Sequence, residues 1–298
     1  MKILLATDGS EYSKAAAEFL TSLDLSSDDE IIIFHAISPI PCIYGRESYI
    51  ETVGAIKKEI APRILDSALK VLNGLKARID TLVLDGSPDS GIVDASVDSD
   101  ADLIVVGARG TKGTESPLIG SVARAVVTES AKPVLVIKSP AWERRERIKI
   151  LFATDGSVNS AATAKMLSGI PFKDNAEVTV MNVISWEWLD IPKEYVPELN
   201  ERLNEIIEET GSARLSESRK IVDQAKEYLS RKFINIIGLS KVGDPSTEII
   251  KASAALDSDL VVVGCRGLRG IRRMMGSVSR NIVTESKCSV LIGKTCGE

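Results

Sequence analysis

The chain of 298 residues is long enough for two ordinary domains, and its 37 basic against 42 acidic residues give a net charge of −5, which argues against a general nucleic-acid coat or an anionic membrane surface. Hydrophobic residues make up 44% of the chain, yet no apolar run approaches the roughly 18 residues that span a bilayer. The short apolar run before Asp8 is typical of a strand and not of a secretory signal, so we expect a cytoplasmic protein that binds neither nucleic acid nor membrane.

Five short aliphatic segments predict strands in the first part of the chain, and their scarcity of charges is typical of strands buried on both faces. They are residues 2–7, 30–37, 80–86, 101–107 and 132–138. Between the second and third segments, apolar residues recur at spacings of three and four from about Ser48 to Ala77, which predicts a long helix. Ser87-Pro88 then predicts a capping side chain before a proline at the first helical position.

The same order of segments is then repeated. Residues 2–10 (KILLATDGS) return as 149–157 (KILFATDGS), and residues 86–110 match 243–267, where Asp244-Pro245 replaces the serine cap. This repeat predicts two domains, residues 1–140 (the first half) and 148–298 (the second half), joined by a polar linker at 141–147. Strands that alternate with helices predict, in each half, a Rossmann-like α/β fold with a doubly wound open parallel sheet.

Three segments of each half reach the carboxyl edge of the predicted sheet, where doubly wound folds bind ligands beside the point at which strand order reverses. In the first half they are residues 6–8 after strand one, Ala36 and Ile37 at the end of strand two, and a glycine-rich loop after strand four. Ala36, Ile37 and Val106 would offer an apolar slot for a base. This convergence predicts a ligand site.

The glycine loop of the first half, residues 107–121, has the composition of a phosphate cradle. Gly107 and Gly110 lack Cβ atoms, so the backbone can turn sharply and a sugar or phosphate can approach its amides. Gly120 and Ser121 open the next helix, whose unpaired N–H groups and positive dipole end suit an anionic phosphate. Asp8 is placed to accept hydrogen bonds from ribose hydroxyls or the adenine amine.

Neither Gly-x-x-x-x-Gly-Lys-[Ser/Thr] nor Gly-x-Gly-x-x-Gly occurs in the chain. The loop instead has Gly-x-x-Gly, nine residues and Gly-Ser, which resembles the ATP-binding signature of the universal stress protein family. The ATDGS opening and the PVLVIK close at 133–138 are also similar to that family, and the resemblance covers both halves. It implies two adenine nucleotide alpha hydrolase-like domains that pair their last strands, 134–137 and 290–292, as an intramolecular pseudo-dimer, with a homodimer of chains beyond it.

The resemblance also implies the ligand, ATP or else AMP or ADP, with Mg²⁺ on its phosphates, and a role in stress response or signalling. In the first half, Asp8 would meet ribose or adenine, Ala36 the base, and Val106 and Gly107 the sugar. The full set for that half is Ala6, Thr7, Asp8, Ala36, Val106, Gly107, Gly110, Gly120, Ser121 and Val122, the last four at the phosphates. The family has proline in some members where this chain has Ala6.

The matching positions of the second half are Asp155, Val183, Val263, Gly264, Gly267, Gly276, Ser277 and Val278. Its glycine loop, residues 264–277, is one residue shorter, and one residue of extended chain is about 3.5 Å, enough to move Gly276 and Ser277 off a phosphate. Cationic side chains could compensate for the lost amide contacts to phosphate. The loop contains four of them, Arg266, Arg269, Arg272 and Arg273. The same arginines could equally form a solvated face or a partner surface, so the second site is left open.

The remaining candidates favour structural roles. His35 lies mid-strand, which favours a buried, hydrogen-bonded histidine over a catalytic one, and Trp186 and Trp188 are more typical of packing on the long helix than of a lid. The four cysteines, at 42, 265, 288 and 296, form no close pair and predict reduced thiols without a metal site.

We predict no catalytic residue, and hydrolysis that is slow at most, because the motif holds no obvious general base and no Walker-type lysine. Two alternatives stay open. One is an interaction scaffold whose pockets are vestigial, with an unidentified protein partner. The other is a slow ATPase or phosphotransferase that depends on Asp8.

Overall fold

A computed structural model of the chain describes residues 1–39, 47–111, 119–142, 147–185, 202–265 and 275–294, without the side chains of 47–50 and 202–212. Within these residues the chain forms ten strands and eight helices. The first half contains β1 (Lys2–Ala6), α1 (Glu11–Leu20), β2 (Glu30–Ile37), α2 (Glu47–Leu72), β3 (Arg78–Asp85), α3 (Pro88–Asp98), β4 (Leu103–Gly107), α4 (Ser121–Glu129) and β5 (Val134–Ile137). The second half contains β6 (Lys149–Ala153), α5 (Val158–Gly169), β7 (Glu177–Ile184), α6 (Arg202–Leu229), β8 (Asn235–Val242), α7 (Pro245–Ala255), β9 (Leu260–Gly264), α8 (Ser277–Glu285) and β10 (Ser289–Gly293).

All of these strands belong to one sheet, in the order β3-β2-β1-β4-β5-β10-β9-β6-β7-β8. Neighbouring strands within each half are parallel. The halves meet where β5 and β10 pair antiparallel, with Leu135 opposite Leu291 at the centre of the joint. The predicted pairing of the two last strands, and with it the intramolecular pseudo-dimer, is confirmed.

Helices cover both faces of the sheet, and alternate strand residues point into two separate apolar cores. Ile3 and Leu5 of β1 face the core that contains α1, α2, α5 and α6. Leu4 and Ala6 face the core that contains α3, α4, α7 and α8. Each core runs through both halves, so the predicted doubly wound α/β fold is confirmed. Among the helices that the structure describes, none is long and apolar enough to cross a membrane.

The prediction that every strand is buried on both faces is wrong for the third strand of each half. Most residues of β3 and β8 are partly or fully exposed, because these strands form the two edges of the sheet and each has a neighbour on one side only. The long helix also ends earlier than expected, at Leu72, and Gly74 follows it with a left-handed φ of 96°.

Only one of the two predicted helix caps forms. Asp244 accepts a hydrogen bond from the backbone N–H of Thr247 at 2.9 Å, as expected for the residue before Pro245. The Ser87 side chain makes no such bond, because its hydroxyl donates to the carboxylate of Asp89 instead.

One lysine in each half donates a hydrogen bond to a helix of the other half. Lys138, directly after β5, donates from Nζ to the carbonyl oxygen of Ser286 at the end of α8 (2.6 Å). Lys294, directly after β10, donates to the carbonyl oxygen of Val127 in α4 (2.7 Å). Carbonyls at helix C-termini lack intrahelical partners and carry the negative end of the dipole, so both contacts stabilise the joint.

The buried amine of Lys138 should make the free energy of unfolding of the chain depend on pH. Burial and, to a lesser extent, the charge of Arg109 lower the pKa of Lys138 from 10.5 to about 8. Between these values the unfolded chain binds more protons at this amine than the folded chain, so its contribution to the free energy of unfolding rises with pH. Between pH ~7 and ~9 the wild type should gain about 1 kcal/mol over Lys138→Met in urea unfolding. A difference that stays constant with pH would contradict this assignment.

Candidate functional site

The segment that follows β1 forms a compact turn through its own side chains. Asp8 accepts the N–H of Ser10 on Oδ1 (3.0 Å), and Ser10 caps α1 by accepting the N–H of Ser13 (3.3 Å). Gly9 adopts a φ of 80°, which favours glycine, and donates its N–H to the hydroxyl of Thr7 (3.3 Å). The sequence ATDGS therefore specifies a fixed orientation for the Asp8 carboxylate.

The second half builds the same turn. Asp155 accepts the N–H of Ser157 at 3.0 Å, Ser157 accepts the N–H of Ser160 at 3.2 Å, and Gly156 has a φ of 75°. The repeat in sequence is thus a repeat of hydrogen bonds, and the Asp155 carboxylate has the orientation of Asp8 relative to its own strand.

The turn after β1 holds the glycine loop of the first half. The second carboxylate oxygen of Asp8, Oδ2, accepts the N–H of Thr111 at 2.9 Å. The hydroxyl of Ser10 donates to the carbonyl oxygen of Arg109 at 3.3 Å. Strand one and the loop after strand four are therefore joined on both sides of Gly110.

The glycines of this loop are required by close neighbours. A Cβ atom at Gly107 would lie 2.7 Å from the carbonyl carbon of Tyr12 in α1, and one at Gly110 would collide with Oδ2 of Asp8. Neither of these glycines nor Gly120 has a positive φ, so the expected sharp turn is not the reason for glycine here. Close packing of α1 and Asp8 against the loop is the reason.

The two ends of the glycine loop are fixed by the backbone. Ala108 donates its N–H to the carbonyl oxygen of Ile137 in β5 (2.7 Å), and Gly120 donates to that of Ala108 (2.8 Å). Gly120 is the N-cap of α4, so these bonds set the start of that helix beside the end of β4. The N–H groups of its first turn accordingly point to the edge of the sheet.

The second half repeats this arrangement despite its shorter loop. Cys265 donates its N–H to the carbonyl oxygen of Gly293 (2.8 Å), and Gly276 donates to that of Cys265 (2.8 Å). Gly276 is therefore bonded to the residue after β9 as Gly120 is to the residue after β4, and the displacement of Gly276 and Ser277 from a phosphate stays a prediction. The missing residue falls between positions 266 and 274, which lie outside the described residues together with Gly267 and the four loop arginines.

A cavity of about 640 Å³ opens at the carboxyl edge of the first half, between β1 and β4, where the strand order reverses. All ten residues that the sequence predicted for this half line it. Ile37, expected in the apolar slot, is not among the lining residues, whereas Phe34 and Ile92 are. The three chain segments that were expected to converge thus surround one space.

The cavity is also lined by polar side chains that sequence reasoning missed or interpreted otherwise. Arg109 and Arg124 belong to it, and so does His35. Nδ1 of His35 lies 2.8 Å from the carbonyl oxygen of Thr7, so Nδ1 carries the proton in this contact. In the second half, Asn182 donates to the carbonyl oxygen of Thr154 at the same distance of 2.8 Å. His35 is hydrogen-bonded as predicted, but it is only half-buried.

The predicted residues of the second half lie at the matching edge. Val183 is near the end of β7, Val263 and Gly264 end β9, and Ser277 and Val278 begin α8. Trp186 and Trp188 lie outside the described residues, so their predicted packing is not tested.

Two of the four cysteines lie among the residues that the structure describes. Cys265 and Cys288 are free thiols, and burial raises the pKa of Cys288. In the described part of the chain, no group of three or more histidine, cysteine, aspartate or glutamate side chains could hold a metal ion.

Fold and site together define a tandem α/β protein with two doubly wound units and a ligand-sized cavity at the strand-order reversal of the first. The sequence model of the universal stress protein family matches residues 1–138 and again 147–294. The chain therefore belongs to the universal stress protein family.

Individual relatives agree with this assignment. A universal stress protein of Methanocaldococcus jannaschii is 33% identical over 143 residues, which are 48% of this chain and 84% of that protein. One of Mycolicibacterium smegmatis is 25% identical over 299 residues and aligns with 97% of this chain and 96% of its own length. The crystal structure of a universal stress protein from Archaeoglobus fulgidus superposes with a TM-score of 0.62 at 21% identity, covering 98% of this chain and 96% of that one. The similarity to the Mycolicibacterium protein thus extends over nearly the full length of both chains.

Proposed function

We propose that the first half binds an adenine nucleotide, ATP foremost and otherwise ADP or AMP, and that the chain is a stress-response or signalling module with little or no hydrolysis. The observation that carries the proposal is the convergence of the ten predicted residues, from three chain segments, on one cavity. Its volume of about 640 Å³ suits a nucleotide-sized ligand.

The lining is chemically divided as a nucleotide requires. Phe34, Ala36, Ile92 and Val106 supply an apolar wall for the base. The α4 N-terminus, opened by Gly120, supplies N–H donors and positive potential for phosphate. Between them, the Asp8 carboxylate uses two of its roughly four acceptor positions for backbone N–H groups, which leaves acceptor capacity for a ribose or adenine donor.

Little hydrolysis is proposed because the chain contains no Walker-type lysine and the motif holds no obvious general base. Within the cavity, Asp8 accepts from the backbone of Ser10 and Thr111, and His35 donates from Nδ1 to Thr7. Mg²⁺ would reach the site on the nucleotide phosphates. A slow ATPase remains the alternative, and phosphate release above the rate without protein would favour it.

Support for a second nucleotide site is narrower. The turn at Asp155 and the start of α8 at Gly276 have the hydrogen bonds of the first half, which favours a retained anion site there.

We also propose the domain limits 1–140 and 148–298, a homodimer of chains, and a cytoplasmic location.

Titration calorimetry on the nucleotide-stripped full chain tests the proposal. ATP with Mg²⁺ should bind with a stoichiometry of about one for the first half. Ser121→Glu places a carboxylate at the start of α4, where it competes with phosphate, and should abolish that binding. Ser277→Glu is the matched change at the start of α8 and should leave first-half binding intact.

Two results would reject nucleotide binding at the first-half site. One is wild-type protein that binds no adenine nucleotide in the titration and retains none by mass spectrometry on purification. The other is Ser121→Glu protein that binds ATP as the wild type does. The scaffold alternative, by contrast, predicts that partner capture persists unchanged in Ser121→Glu.

A further inference from the structure

The described side chains that line the first-half cavity carry a net positive charge. Its titratable lining side chains are Asp8, His35, Arg109 and Arg124, which sum to one net positive charge when the histidine is neutral. The single carboxylate among them accepts two backbone N–H groups. Neither arginine forms an ion pair with any carboxylate in the described part of the chain. Among the described residues, therefore, the two guanidinium groups border the cavity without a carboxylate ion-paired to them.

Arg124 stands one turn into α4, where its N–H donates to the carbonyl oxygen of Gly120 at 3.0 Å. Side chains of an α-helix lean toward its N-terminus, which here is the phosphate end of the cavity. Arg280 occupies the same position in α8, and its Nη2 donates to the carbonyl oxygen of Met275 at 3.4 Å, just before the helix begins. Arg280 thus reaches back to the start of its helix, and Arg124 holds the matching position in α4.

Arg109 approaches the same space from the other end of the glycine loop. Its carbonyl oxygen is held by the Ser10 hydroxyl, and its guanidinium lies 5.5 Å from the centre of the Tyr12 ring. A cation over an aromatic face is attracted to it, so Tyr12 limits where this side chain can go. The half-buried Arg109 is held beside the loop instead of extending into solvent.

We propose that Arg109 and Arg124 make the first-half site selective for the length of the phosphate chain, so that ATP and ADP bind more tightly than AMP. This inference rests on the proposed function. The backbone amides and the α4 dipole offer only partial positive charges, whereas each further phosphate adds full negative charge. Among the described lining residues, Arg109 and Arg124 are the two with a permanent positive charge to offset it. Because Arg124 is exposed and solvent screens its charge, the selectivity is moderate.

Calorimetric titrations of ATP and AMP into the full chain test this selectivity. The variants are Arg109→Gln, Arg124→Gln and their double variant. In the double variant the affinity for ATP should fall about 10- to 100-fold and that for AMP less than about 3-fold, since charge-assisted hydrogen bonds to the outer phosphates are lost. The salt dependence of ATP affinity between about 50 and 200 mM should also be weaker in the double variant than in the wild type.

Arg231→Gln is the matched control, because Arg231 also lies 5.5 Å from a tyrosine ring, that of Tyr228, but is remote in sequence from the glycine loop and is not a cavity-lining residue. It should change neither affinity. Equal losses for ATP and AMP in the double variant would overturn the inference, since they would show a role in positioning the loop. Wild-type protein that binds ATP and AMP equally well would also overturn it while leaving the proposed function standing. Wild-type protein that binds neither would reject both.

Discussion

Gly107→Ala should destabilise the chain by about 3 kcal/mol and weaken nucleotide binding in the first half, although it adds a single methyl group. The new Cβ would lie 2.7 Å from the carbonyl carbon of Tyr12 and 2.9 Å from the backbone nitrogen of Ser13. Both are main-chain atoms of α1, so no side-chain rotation relieves the contact. The helix itself must move, and with it the cap at Ser10 that orients the turn after β1.

Gly54→Ala is the matched control for this change. Gly54 lies inside α2, and a Cβ there would meet no atom within 4 Å. Alanine is favoured over glycine in a helix interior, so this variant should be stabilised by up to about 1 kcal/mol. Urea unfolding of both variants measures these two opposite changes in the free energy of unfolding. A Gly107→Ala protein as stable as the wild type would show that α1 does not pack closely on the end of β4.

The sheet could be predicted from the sequence where local composition and topology agree. Aliphatic runs predicted all five strands of the first half, and the repeat of residues 2–10 at 149–157 predicted the same fold twice. Exposure of β3 was not predictable in that way, because an edge position depends on the order of strands and not on the segment itself. A run such as TLVLD looks the same at the edge and at the centre of a sheet.

The site shows a similar division. All ten positions of the resemblance-derived set line the first-half cavity, since motif residues are placed largely by backbone and Cβ geometry. Arg124 was missed because its approach to the cavity depends on the direction of a helical side chain. A signal was nevertheless present, since both halves have arginine four positions after the last loop glycine, at 124 and 280. His35 was judged by its place within a strand, although β2 ends beside the cavity.

Asp8→Ala should lower the affinity of the first half for ATP by about 100-fold or more. The substitution removes both carboxylate contacts, to the N–H of Ser10 at 3.0 Å and to that of Thr111 at 2.9 Å. Hydrogen bonds to charged groups contribute about 1.5–3 kcal/mol each, and 100-fold in affinity is about 2.7 kcal/mol. Losing the docked loop and the proposed ribose contact together should therefore cost more binding free energy than that value. Calorimetry with ATP measures it, and unchanged affinity would show that neither contact supports binding.

Asp155→Ala is the matched control, since Asp155 makes the same 3.0 Å bond to Ser157 in the second half and its loss should spare first-half binding. Asp8→Asn separates the two roles of the carboxylate. Its amide oxygen can still accept the N–H of Ser10, but its NH₂ group would face the N–H of Thr111, donor against donor. Faster hydrogen exchange of the Thr111 amide would report the released loop. If Asp8→Asn then binds ATP as weakly as Asp8→Ala, docking of the loop accounts for the affinity, whereas an intermediate affinity assigns the remainder to direct contact between the retained oxygen and the nucleotide.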